Sequence, residues 1–157
     1  MPETEGVFWP DFVDFLEALN QSRVDYILVG GYAVVLHGYC RTTGDLDIWV
    51  RQTEANYQRL NEAFKHFGLP TTAISLRNFL CTDTTDVFTF GKPPLAIDIL
   101  TQVKGIDFQT SFETAETTSI GSIEIRFLGL SMLREAKRAA GRYKDKDDLE
   151  NLPETNI

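Results

Sequence analysis

The run Arg41-Thr42-Thr43-Gly44-Asp45-Leu46-Asp47-Ile48-Trp49-Val50 constrains this chain more than any other segment. A strand alternates its side chains between two faces. Asp45 and Asp47 are therefore expected to point the same way, roughly 6.5–7 Å apart at their Cα atoms. Leu46, Ile48 and Val50 then point into a core. Two carboxylates projecting together from a largely apolar strand repel unless a cation lies between them. Mg²⁺ suits that arrangement, because it binds one or two carboxylates together with substrate phosphates. Trp49 shares the acidic face, which argues against a fully solvated surface.

Two further features bear on the same chemistry. Tyr26-Ile27-Leu28-Val29 reads as a buried strand that stops at Gly30-Gly31, with a short helix over Tyr32 to His37 beyond. Glycine lets a ligand approach the backbone closely, and exposed amides at a helix start attract phosphate; a glycine pair after a strand can equally be a simple turn. Asp98 interrupts Leu95-Ala96-Ile97-Asp98-Ile99-Leu100. A bare charge is costly inside an apolar strand, so Asp98 needs a hydrogen-bonding or metal partner.

The rest of the chain supplies a scaffold. Phe12, Phe15, Leu16 and Leu19 are spaced for a helix with Pro10 in its first turn, and Tyr57, Leu60, Phe64 and Phe67 mark another that stops at Gly68. Strands are expected at Asp45 to Val50, Asp86 to Phe90 and Leu95 to Leu100, the last two joined by a turn over Gly91-Lys92-Pro93-Pro94. A short helix is expected over Asp107 to Ala115. Thr117 to Ile120 and Ile123 to Phe127 flank Gly121-Ser122 as a hairpin. Helices are expected over Leu130 to Ala140 and Asp147 to Leu152. Helices interleave with strands early and hairpins follow, so the expected class is α+β, a mixed β-sheet flanked by helices. One domain is expected over residues 1–152, with a loose tail over 153–157.

Composition narrows the partners. A net charge of −8 disfavours an extended nucleic-acid duplex, which requires a basic face. No apolar run is long enough to cross a membrane, and the acidic start is unlike a signal sequence. Cys40 and Cys81 lack the close spacing of a zinc or redox site, so reduced thiols in a cytoplasmic protein are expected. Basic residues gather late, at Arg134, Lys137, Arg138, Arg142, Lys144 and Lys146. That cluster serves either a triphosphate or RNA end, or simply a solvated helix face.

The ordered set Gly30-Gly31, Arg41-Thr42-Thr43-x-Asp45-Leu46-Asp47 and Ile97-Asp98-Ile99 resembles the nucleotidyltransferases of the polymerase-β superfamily, most of all their small single-domain members. Lys137, Gly141-Arg142 and Lys144-Asp145 ahead of Asp148-Leu149 are similar to the end of these proteins, less specifically. The resemblance implies a polymerase-β-type fold and transfer of a nucleoside monophosphate from an NTP to a hydroxyl. In that pattern Asp45 and Asp47 hold Mg²⁺ against the triphosphate, Asp98 joins a second ion and helps deprotonate the acceptor, and Gly30 and Gly31 contact phosphates. Arg41 meets a phosphate or forms a surface salt bridge. Lys137 and Lys144 reach the triphosphate if the last helices fold over the cleft. His37 is expected to be a packing or hydrogen-bonded histidine, Thr42 and Thr43 to order the approach to the strand, and Trp49 and Phe90 to pack in the core.

Two departures matter. Gly30-Gly31 stands where larger members often carry Gly-Ser, and the stretch after Asp98 is short for an acceptor-binding domain. The acceptor, a small molecule, a protein or an RNA end, is then held by that stretch, by a second copy in a homodimer, or by a partner protein. The rival reading is a noncatalytic nucleotide-binding or antitoxin-like interaction protein on the same fold.

Overall fold

The computed structural model describes residues 8–71, 73–81, 87–92 and 95–154. Six strands form one mixed sheet in the order β3-β4-β2-β1-β6-β5. They are β1 (Tyr26–Val29), β2 (Leu46–Val50), β3 (Val87–Lys92), β4 (Leu95–Leu100), β5 (Glu116–Ile120) and β6 (Ile123–Phe127). The helices are α1 (Pro10–Gln21), α2 (Gly30–Leu36), α3 (Glu54–Phe67), α4 (Leu76–Leu80), α5 (Phe108–Glu113), α6 (Leu130–Ala140) and α7 (Tyr143–Asn151). Strand pairs β1–β2, β3–β4 and β5–β6 are antiparallel, whereas β1–β6 and β2–β4 are parallel. The architecture is α+β, as the order of elements predicts. Among the described residues, no helix is long and apolar enough to cross a membrane.

Alternation along the central strands builds two cores. Tyr26 and Leu28 of β1 and Leu46, Ile48 and Val50 of β2 face one side, under Phe12, Phe15, Leu60 and Phe64 of α1 and α3. Ile27, Val29 and Trp49 face the other, under α2 and α6 residues such as Ala33, Val34 and Leu133. Asp47 sits between Leu46 and Ile48, so the two-residue period puts it on the Trp49 side. Trp49 is buried edge-on against Phe108, and Phe90 packs against Phe64. Both aromatics belong to the cores, as expected.

Several boundaries move, each for a local reason. β2 begins at Leu46, leaving Asp45 exposed on the loop before it. α2 begins at Gly30, so the glycine pair forms its first turn instead of preceding it. α4 carries no strong sequence period; Ser75 caps it by accepting from the Asn78 amide, and Phe79 anchors it in the core. β3 runs on through Gly91 and Lys92, paired with Ala96 and Leu95. Asp86, Pro93 and Pro94 lie outside the described residues. α5 is shorter than the expected Asp107 to Ala115 because Asp107 is its N-cap. α7 starts at Tyr143, four residues earlier than expected, because the Asp145 carboxylate in its first turn accepts from the Arg142 backbone amide at 3.1 Å and from the Arg142 Nε at 2.7 Å.

Phe64 is fully buried, with its ring centroid 6.3 Å from that of Phe15 and 5.3 Å from that of Phe90. Phe64→Ala is expected to cost about 3–5 kcal/mol of unfolding free energy, read from the urea midpoint.

Candidate active site

Asp47 and Asp98 meet because β2 and β4 run parallel with these two residues as register partners. Adjacent strands lie about 4.8 Å apart, so carboxyls at paired positions on one face touch. The two side chains are hydrogen-bonded to one another. On the far side, the Thr89 hydroxyl of β3 donates to Asp98 Oδ1 at 2.7 Å. Burial first, then the Asp98 charge and the bond to it, and finally the Asp45 charge push the Asp47 carboxyl up to about 7; Lys144 acts in the opposite sense. Two adjacent carboxylates cannot both be ionised cheaply, so Asp47 keeps its proton to a higher pH than an ordinary aspartate.

The glycine pair makes room for this arrangement. Gly30 has φ +68°, and a Cβ there would fall on Asp47 Oδ2. A Cβ at Gly31 would fall on Thr43 Oγ1. The two glycines thus seat Asp47 and the 41–44 loop against α2. A cleft of about 220 Å³ opens there, lined by Gly31, Thr42, Thr43, Gly44, Arg41, Asp45, Asp47 and Lys144. Asp98 lies beside Asp47 outside that lining. Larger grooves exist, including one of 410 Å³ near Arg23 and Arg126, but it holds none of the candidate site residues.

The expected phosphate-binding cations divide into two groups. Lys144 lines the cleft. Arg41 also lines it, yet its Nε and Nη2 are held by Asp148 at 2.7 and 3.0 Å. Lys137 is buried below, 3.1 Å from Asp145 and 2.9 Å from Asp148, and is not part of the cleft lining. Burial alone would raise the Asp145 carboxyl, but hydrogen bonds from Arg142 and Lys137 hold it below its ordinary range. His37 is a packing histidine, its Nε2 2.7 Å from the Leu128 carbonyl oxygen and its ring against Phe127. Thr89, Asp145 and Asp148 received no role from the residue pattern alone. For the two aspartates a signal exists: an i, i+3 acidic pair on a helix with almost no apolar face.

Among the described residues, no group of three or more His, Cys, Asp or Glu side chains is gathered closely enough to hold a metal ion. The expectation of three converged carboxylates is met by two, because Asp45 stands on the loop before β2. The donor set still fits Mg²⁺. A divalent cation would relieve the repulsion between two adjacent carboxyls and would supply charge compensation for phosphate oxygens in the cleft.

No family model matches this chain, and no curated protein matches it by sequence. Its fold is similar to a crystal structure described as a "putative nucleotidyltransferase" from Thermotoga maritima, with a TM-score of 0.59 over 88% of each chain and 14% identity. At that identity the likeness shows the fold: the chain has a nucleotidyltransferase-like fold.

Gly30→Ala forces a side chain into left-handed backbone, worth about 1–2 kcal/mol, and onto Asp47 besides. The variant is expected to lose at least ~2 kcal/mol of stability in urea titration. A second outcome concerns pH. Asp47 ionises near 7 when folded and near 3.8 when unfolded, so between these values the folded state binds more protons and stability falls as pH rises. In metal-free protein Asp47→Asn is expected to flatten that decline and raise Tm above pH 7, by about 2–4 °C per kcal/mol recovered. Calorimetric scans from pH 4 to 8.5 read it.

Proposed function

We propose that this chain is a Mg²⁺-dependent nucleotidyltransferase that moves a nucleoside monophosphate from an NTP to an acceptor hydroxyl. The observation that carries the reading is the Asp47–Asp98 carboxyl pair beside a cleft whose other walls are glycine backbone, Lys144 and Arg41. The fold likeness to the Thermotoga maritima structure agrees with it.

Asp47 and Asp98 would hold Mg²⁺, with Asp45 lining the cleft beside them, and the ion would supply charge neutralisation at the triphosphate and at the acceptor oxygen. Lys144 balances phosphate charge in the cleft, aided by the outward edge of the Arg41 guanidinium. Gly31 seats Thr43 against the first turn of α2, and both line the cleft where phosphate oxygens would lie. The acceptor enters from the β3–β4 side, where Asp98 stands half-buried with one oxygen fixed by Thr89. Asp98 takes the hydroxyl proton as the acceptor oxygen bonds to the α-phosphorus and the bond to pyrophosphate breaks. Such chemistry depends on positioning and charge compensation more than on a protein nucleophile. With a net charge of −8, the acceptor is a small molecule, a protein or an RNA end, in preference to an extended duplex.

The test incubates the protein with Mg²⁺, each α-labelled NTP in turn and cell extract. Label transfer is expected, and Asp47→Asn or Asp98→Asn should reduce it at least ~100-fold, equivalent to about 3 kcal/mol of transition-state stabilisation. Wild-type protein that transfers no label from any NTP overturns the reading. Nucleotide binding without transfer points instead to an interaction module on this fold.

A further inference from the structure

α7 docks in an unusual way. The residues buried within it are carboxylates, Asp145 at 0% and Asp148 at 1% exposure, with Leu149 half-buried beside them and Leu152 buried just past its end. Its attachment near the cleft therefore rests on charge more than on apolar packing. Asp148 is the branch point. It grips the Arg41 guanidinium with both oxygens, at 2.7 and 3.0 Å, and lies 2.9 Å from Lys137 Nζ of α6. A bidentate arginine–carboxylate fork fixes orientation as well as distance.

The two ends of this fork each lead to residues that line the cleft, Thr42 and Thr43 from Arg41 and Lys144 from α7. Arg41 leads into Thr42 and Thr43, and its Nη1 donates to the Thr42 carbonyl at 3.1 Å. Lys144 lies one helical turn before Asp148 on α7. Asp148 itself is absent from the cleft lining, so it does not touch what binds there. We infer that Asp148 is a positioning residue, clamping the 41–44 loop and the Lys144 end of α7 at the separation that a chain of phosphates requires. The inference rests on the nucleotide reading above and names the phosphate chain as the group whose affinity the clamp sets.

The test uses inorganic tripolyphosphate with Mg²⁺ as the probe, with titration calorimetry on wild type, Asp148→Asn, Lys144→Ala and the double variant. Each single change is expected to weaken binding at least tenfold. The double variant should be about as weak as either single one, because Asp148 acts through the placement of Lys144. A purely structural role would give independent losses that multiply. Without ligand, amide hydrogen exchange in Asp148→Asn should accelerate at residues 41–44 and 143–147 together, while β1, β2 and β4 stay protected. Should that variant not fold, Arg41→Lys keeps the charge, removes the fork and is expected to show the same paired acceleration. Wild-type binding with unchanged affinity in Asp148→Asn, multiplicative losses, or exchange confined to α7 each overturn the clamp alone. Wild-type protein that binds no tripolyphosphate overturns the nucleotide reading, and the clamp's purpose with it.

Discussion

The contact between the Asp47 and Asp98 carboxyls is the constraint around which the rest of the structure is arranged. Two carboxyls side by side in a buried site are normally avoided, and here they are imposed by the register of two central strands. Shifting β4 by one residue would separate them, but it would also turn Ile97 and Ile99 out of the core they share with Leu46 and Ile48. Apolar packing on one face therefore holds an electrostatic conflict on the other. The conflict is moderated by the raised proton affinity of Asp47 and by the Thr89 hydroxyl on Asp98.

Around that pair, basic side chains serve two purposes that their sequence positions do not distinguish. Lys137 is enclosed between Asp145 and Asp148, and Arg41 is tied to Asp148, so much of the positive charge near the site compensates buried carboxylates. Lys144 remains directed at the cleft. Buried ion pairs of this kind add little net stability over apolar packing, yet breaking one partner is strongly unfavourable. Their consequence here is geometric, because they tie α6, α7 and the loop before β2 to one another.

Legibility from the sequence followed the strength of the local signal. The helices α1, α3 and α6 and the strands β1, β4 and β6 carried apolar periods and clear stop residues, and their positions followed. α4 and the early start of α7 were obscure because each depends on a cap and on one or two anchoring contacts instead of a repeating pattern. The aspartate motif was visible as a spacing. Its detailed arrangement was not, because Asp45 falls just outside the strand and only the ladder shows that Asp47 and Asp98 stand side by side.

By itself, then, the sequence determined which face of each strand is apolar, where the chain must turn, and that Asp47 and Asp98 interrupt otherwise apolar strands. Those are consequences of side-chain period and backbone preference, which act over a few residues. Only the tertiary structure decided that Gly30 and Gly31 leave space for Asp47 and Thr43, that Lys137 is enclosed while Lys144 faces the cleft, and that Asp148 joins α7 to Arg41. These depend on strand pairing and helix docking between residues as far as 107 positions apart, where charge finds partners that no local pattern specifies.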